Sequence, residues 1–243
     1  MSEESVKKKR RESGLVFVWL VVAILILSTL FVSNYFGYRK YYLLSLLLIV
    51  YSMIPFFLSY EKRKPQAREV VTLAVMCAVA VASRAAFLML PHFKPMTGII
   101  MITGISFGPE AGFLTGALSG FVSNFIFGQG PWTPWQMFAF GVAGFLAGIL
   151  SKTGFLTGEK PLRAAVFGGL SVVIIVGPLL DTCTLFTMAA EINSSSAAGI
   201  YLSGLPVNLV HGLATFLTVL LLCRPITEKL DRIRVKYGMM SDD

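Results

Sequence analysis

Long apolar stretches recur along this chain, and its charges are confined to the gaps between them. Leu15–Val32 and Tyr41–Tyr60 come first. Six more cover roughly 69–90, 96–108, 110–127, 134–151, 163–186 and 200–223. About 20 apolar residues in a helix cross the hydrocarbon core of a bilayer. An open chain in lipid can satisfy its backbone only as helix. The pattern therefore predicts an all-α polytopic membrane protein with eight crossings. Composition agrees, with 55% hydrophobic and 14% charged residues, where a soluble domain carries about 25% charged. A disordered chain, a coiled coil and a secreted disulfide scaffold are excluded as main descriptions. The run from Leu15 follows Lys7, Lys8, Lys9, Arg10 and Arg11. It is too long for a signal peptide and no small-x-small cleavage site follows, so a retained helix is expected.

The net charge of +8 does not point to nucleic acid, because the basic residues sit in short runs beside apolar segments. Seventeen of the 21 Lys and Arg fall on the side of the N-terminus, three (Arg39, Lys40 and Lys94) on the other, and Arg84 within a span. That bias predicts both termini in the cytoplasm. Glu61–Arg68 is a charged linker and the clearest boundary. It divides a basic tail and two-helix hairpin (1–64) from a six-helix membrane core (65–224), with a cytoplasmic tail (225–243) after it. Cys77, Cys183 and Cys223 lie far apart in apolar stretches, without metal or redox spacing.

An ionisable side chain within a span needs a partner or a task. Counted from Pro91, Arg84 lies about 10 Å below the outer surface, and Asp181 falls at a similar depth. Asn124, Gln136 and Asn208 also belong to outer halves, and His211 lies nearer the midplane. Two readings are open and compatible. Arg84 and Asp181 pair while the amides join helices, or these groups line a pocket that opens outward. His211 on its own suits hydrogen-bonded packing, and His92 suits an exposed loop. The outer loop Phe127-Gly-Gln-Gly-Pro-Trp-Thr-Pro-Trp-Gln136 combines Gly128 and Gly130 with Pro131 and Pro134. It reads either as an interfacial aromatic belt or as a rigid lid carrying Gln129, Trp132, Trp135 and Gln136 over the pocket.

Small residues form rows. Ala74, Ala78, Ala82 and Ala86 recur every four residues, and Arg84 points roughly 140° away from the middle of that row. Gly112, Gly116 and Gly120 form a second row, and Gly141, Gly144 and Gly148 a third. Such rows permit close helix approach. Packing within the chain is expected for the glycines; the alanine row suits either packing or a partner protein. No P-loop, H-E-x-x-H or G-x-S-x-G motif occurs and no carboxylate cluster suits a metal. An enzyme is therefore not expected, nor a metal or cofactor. A binding protein embedded in the bilayer fits better.

Several stretches resemble the substrate-binding S components of energy-coupling factor (ECF) vitamin transporters. They are the Ala74-xxx-Ala78-xxx-Ala82 row, the Lys94-Pro95 start of a short helix, the run Gly108-Pro-Glu-Ala-Gly-Phe-Leu-Thr-Gly-Ala-Leu118, and Phe127 to Met137. The resemblance covers six spans, about two thirds of the chain. It implies a multi-pass protein of a bacterial plasma membrane that binds a vitamin from outside. It also implies docking through Ala74, Ala78, Ala82 and Ala86 on a transmembrane scaffold subunit, with two ATPase subunits supplying energy. The two extra spans at 15–60 depart from the six usual in that family. The Gln129–Trp135 loop looks most like members linked to cobalamin or its precursors, although riboflavin or pantothenate would also suit amides and tryptophans. The candidate substrate-binding residues are Arg84, His92, Lys94, Asn124, Gln129, Trp132, Trp135, Gln136, Asp181, Asn208 and His211. A membrane assembly or sensor protein without transport activity is the alternative.

Overall fold

In a computed structural model of the chain, the described residues are 41–62, 65–189 and 191–238, with Val22 and Ile24. The span expected at Leu15–Val32 lies almost wholly outside them. Every regular element among the described residues is helical. The chain divides into two compact units, Met1–Lys64 and Pro65–Asp243. The first contains α1 (Tyr41–Lys62), which tolerates Pro55 in its interior.

The second unit holds α2 (Ala67–Ala86), α3 (Met96–Phe107), α4 (Pro109–Phe127), α5 (Trp132–Lys152), α6 (Pro161–Ser171), a π-helical turn (Val172–Val176), α7 (Gly177–Met188) and α8 (Ser194–Tyr237). The π turn continues directly into α7, so Pro161–Met188 is one apolar span of 28 residues. Five described helices are long and apolar enough to cross a membrane: Leu44–Lys62, Ala67–Ala86, Trp132–Lys152, Pro161–Met188 and Ser194–Tyr237.

The short α3 has only 12 residues, about 18 Å of helix. Its position explains why that suffices. Eleven of its residues are buried, and it packs against α2, α4, α5 and α8. A helix enclosed by protein need not match the thickness of lipid. Gly108, at φ +91°, turns the chain between α3 and α4, and Pro109 begins α4 at a position where no amide hydrogen is required.

The glycine rows bring α4 and α5 together at backbone distance. A Cβ on Gly116 would strike the Phe140 carbonyl, one on Gly144 the backbone of Gly112, and one on Gly148 the backbone of Pro109. Gly104 of α3 meets Gly144 in the same way. These rows therefore serve packing within the chain. The alanine row does the opposite. Ala74, Ala78, Ala82 and Ala86 are exposed, while Leu73, Met76, Cys77, Ala80, Val81 and Arg84 form the buried face of α2.

Two boundaries differ from expectation. Helix α2 ends at Ala86, and turns occupy the following residues. Arg84 is therefore in the last helical turn rather than deep within a longer span. Helix α8 does not end near Cys223 but runs for 44 residues to Tyr237, about 66 Å. Pro225 interrupts one hydrogen bond without stopping it, and the Arg224–Glu228 pair at 2.9 Å supports the turn that follows. An Asn193–Ser196 capping box starts this helix, and Gly238 in the left-handed region closes it. Near its end, Tyr237 receives the Arg68 guanidinium 5.2 Å from its ring centre, so the end of α8 lies beside the start of α2.

Gly144→Val should lower the unfolding temperature in detergent sharply or abolish folding, as overpacking a backbone contact costs about 1–3 kcal/mol or more. Gly199→Ala is the control, since a Cβ there meets nothing within 4 Å. Equal losses from the two substitutions would refute the glycine seam.

Candidate functional site

One cavity of about 410 Å³ opens where α2 ends, between the 87–95 connection, the end of α4 and the start of α5. Six of the eleven candidate residues line it: Arg84, His92, Lys94, Asn124, Trp132 and Gln136. Phe87, Phe93 and Phe127 supply aromatic wall. Among the described residues, neither Asp nor Glu lines it.

Arg84 is held by neutral groups. Its Nη1 donates to Ser123 Oγ and to Asn124 Oδ1 at 3.1 Å. Its guanidinium lies over Phe127, 4.1 Å from the ring centre, a favourable cation–π geometry. Asn124 then donates from Nδ2 to Thr133 Oγ1 at 3.1 Å, and Thr133 donates to Gln129 Oε1 at 2.9 Å. Gln129 donates in turn to the Phe121 carbonyl at 3.0 Å. The chain of hydrogen bonds links the end of α2 to α4 and the start of α5. Gln129 thus braces the loop instead of lining the cavity. Trp132 donates to the Gly128 carbonyl at 3.3 Å.

Of the two open readings, the direct Arg84–Asp181 pair is not formed. Asp181 accepts from Asn208 Nδ2 at 2.8 Å, between α7 and α8. Gly177 and Gly204 leave room for these side chains. Similar depth on two helices does not place two residues on the same side of a bundle. His211 is buried and shares a 2.8 Å hydrogen bond with Thr97, edge-on to Phe140 at 6.2 Å. It joins α8 to α3 and α5. Trp135 is 6% exposed and packs on Phe186 at 6.0 Å. These four candidates, Asp181, Asn208, His211 and Trp135, sit outside the cavity.

Ser123, Phe127 and Thr133 shape the site without having been singled out as candidates. Ser123 adjoins Asn124, and Thr133 sits inside the loop already noted, so both had a local signal. Phe127 opens the same loop, but nothing in the sequence pairs its ring with Arg84. His92 adopts φ +62° at the exposed rim, a conformation uncommon for residues with a Cβ but less so for His. Lys94 is half-buried. Burial, reinforced by the neighbouring Arg84 charge, pushes its ammonium down to about 8.

The family described as "ECF-type riboflavin transporter, S component" matches residues 64–228. The chain belongs to that family. Membership makes it a substrate-binding subunit of a vitamin transporter rather than an enzyme. The S-component match begins at the linker before α2 and ends within the extension of α8, so α1 precedes it. No solved structure matches the chain significantly.

The Lys94 ammonium titrates lower in the folded chain than in the unfolded one, so the unfolded state binds more protons between about pH 8 and 10. Folding stability from this group should rise with pH across that window. Arg84 from α2 and His92 from the same connection are the other basic groups at the cavity. The difference in unfolding temperature between wild type and Lys94→Gln should therefore drift in favour of wild type as pH rises. A pH-independent difference would contradict the buried environment assigned to Lys94.

Proposed function

We propose that this S component binds a small ring-bearing vitamin in the cavity beside Arg84, taken up from the outer face, and delivers it by docking on a transmembrane scaffold driven by two ATPase subunits. The observation that carries this is the convergence of Arg84, Asn124, Lys94, Trp132 and Gln136 on one 410 Å³ cavity. Ligand sites are concave, largely apolar and furnished with a few convergent polar groups, and this cavity has that form. The excess of Lys and Arg on the opposite side of the membrane supports an outward-facing mouth, and the resemblance to vitamin-transporter S components supports a bacterial plasma membrane setting. The exposed alanine face of α2 supports docking there, because small side chains let a partner helix approach closely.

The cavity volume favours a ligand of flavin size, in keeping with the vitamin in the family's description. A corrinoid such as cobalamin, the substrate suggested by the Gln129–Trp135 loop, needs a far larger chamber. It stands as a second reading because Trp132 is 40% exposed and a Cβ at Gly128 would meet nothing within 4 Å, so open space borders the 128–132 loop.

The purified chain, without partners, should retain one vitamin per molecule, identified by mass spectrometry and by its absorbance. A corrin spectrum would select the second reading. A folded chain that retains nothing and ignores a vitamin panel would instead support an assembly or sensor protein. Replacing Ala78 and Ala82 by Phe should leave that binding intact and abolish uptake by cells. Lost binding with an intact complex would mean that the two faces of α2 have been assigned the wrong way round.

A further inference from the structure

The cavity is cationic without a counter-charge. Arg84 is 6% exposed, Lys94 stands beside it, His92 is at the rim, and among the described residues neither Asp nor Glu lines the cavity. Asp181, the acid nearest in depth by sequence, is engaged with Asn208. A guanidinium removed from water costs free energy that neutral acceptors and one aromatic face offset only in part. Both hydrogen bonds of Arg84 leave from Nη1; its Nε is buried with no hydrogen-bond partner. Gln136, also on the cavity wall, has a buried Oε1 without a partner. Buried polar atoms are normally paired; neither of these two is open to the cavity itself, but the unpaired Nε leaves the guanidinium hydrogen-bonded through a single nitrogen, and its charge is correspondingly poorly compensated.

We propose that the vitamin bound here carries an anionic group, carboxylate or phosphate, received by Arg84 with Lys94 alongside. This refines the transport reading above and rests on it. Arg84 is suited to the role because Ser123, Asn124 and Phe127 fix its plane before the ligand arrives, so little side-chain entropy is lost on binding. Arginine meets either oxyanion in a bidentate fashion. The aromatic wall of Phe87, Phe127 and Trp132 suits the flat body of such a ligand.

Matched acid and neutral probes test this with the full chain in detergent: nicotinate against nicotinamide for a carboxylate, and flavin mononucleotide against riboflavin for a phosphate. The acid member of at least one pair should bind about tenfold or more tightly than its neutral partner, the size expected of a charge-assisted hydrogen bond. The preference should vanish in Arg84→Gln and shrink in Lys94→Gln. The half-buried Lys94 keeps the test decisive if Arg84→Gln does not fold. The pair that responds tells carboxylate from phosphate. A neutral member that binds as tightly as its acid, or a neutral vitamin retained from cells, overturns the anionic assignment and leaves the transport function standing. Unchanged acid preference in Lys94→Gln and in a folded Arg84→Gln also overturns it. Failure of every probe and the absence of any retained vitamin would overturn both.

Discussion

The contact of α4 with α5 through glycine is what the candidate site depends on. Gly112, Gly116, Gly144 and Gly148 let two helices meet backbone to backbone, with Gly104 of α3 in the same seam. Without a hydrophobic driving force between helices in lipid, close packing carries much of their association. Here it also sets register. With the seam fixed, the end of α4 and the start of α5 must lie side by side, which puts Ser123, Asn124 and Phe127 within reach of Thr133 and Gln136. A side chain at any of these glycines would push apart the elements that hold Arg84.

Arg84 in turn explains why this end of the bundle is polar. A charged side chain within a membrane segment is tolerated where it faces protein and finds partners. It lies one turn from the end of α2, and its partners come from α4 alone: a hydroxyl, an amide oxygen and an aromatic ring. The amide then binds Thr133, so placing one charge ties together three helices. All these partners are neutral, which solvates the guanidinium in part and leaves its charge available. A carboxylate partner would have quenched it.

Span positions and glycine packing were legible because each rests on local chemistry. Apolar length predicts helices, and a glycine every four residues predicts a contact. The short α3 was legible as an anomaly between Pro95 and Pro109, but its cause, burial on nearly every side, belongs to the assembled bundle. The Arg84–Asp181 pair failed because depth is a one-dimensional property and pairing is three-dimensional. Asp181 turns toward Asn208 on α8, whereas Arg84 meets Ser123 and Asn124 on α4. Trp135 and Gln136 show the same limit. They are neighbours in one helix, yet the first faces Phe186 in the packed interior and the second lines the cavity, since adjacent helical residues diverge by about 100°. The continuation of α8 past Pro225 was hidden by a sequence signal that usually marks an end.

The geometry of α2 separates two demands on one helix. Leu73, Met76, Cys77, Ala80, Val81 and Arg84 recur at the spacing of a single buried stripe, and the alanines occupy the far side. The stripe fixes the helix against α3 and α4 and presents the guanidinium to the cavity. The far side carries the alanines, with the exposed Val71, Val75 and Val79 among them. Polar chemistry at the end of the bundle and an apolar lateral surface therefore coexist because 20 residues at 100° intervals give each its own face. Substitution on one face alters the other only if the helix rotates, and a rotation would withdraw Arg84 from Ser123 and Asn124 and expose a cation to lipid.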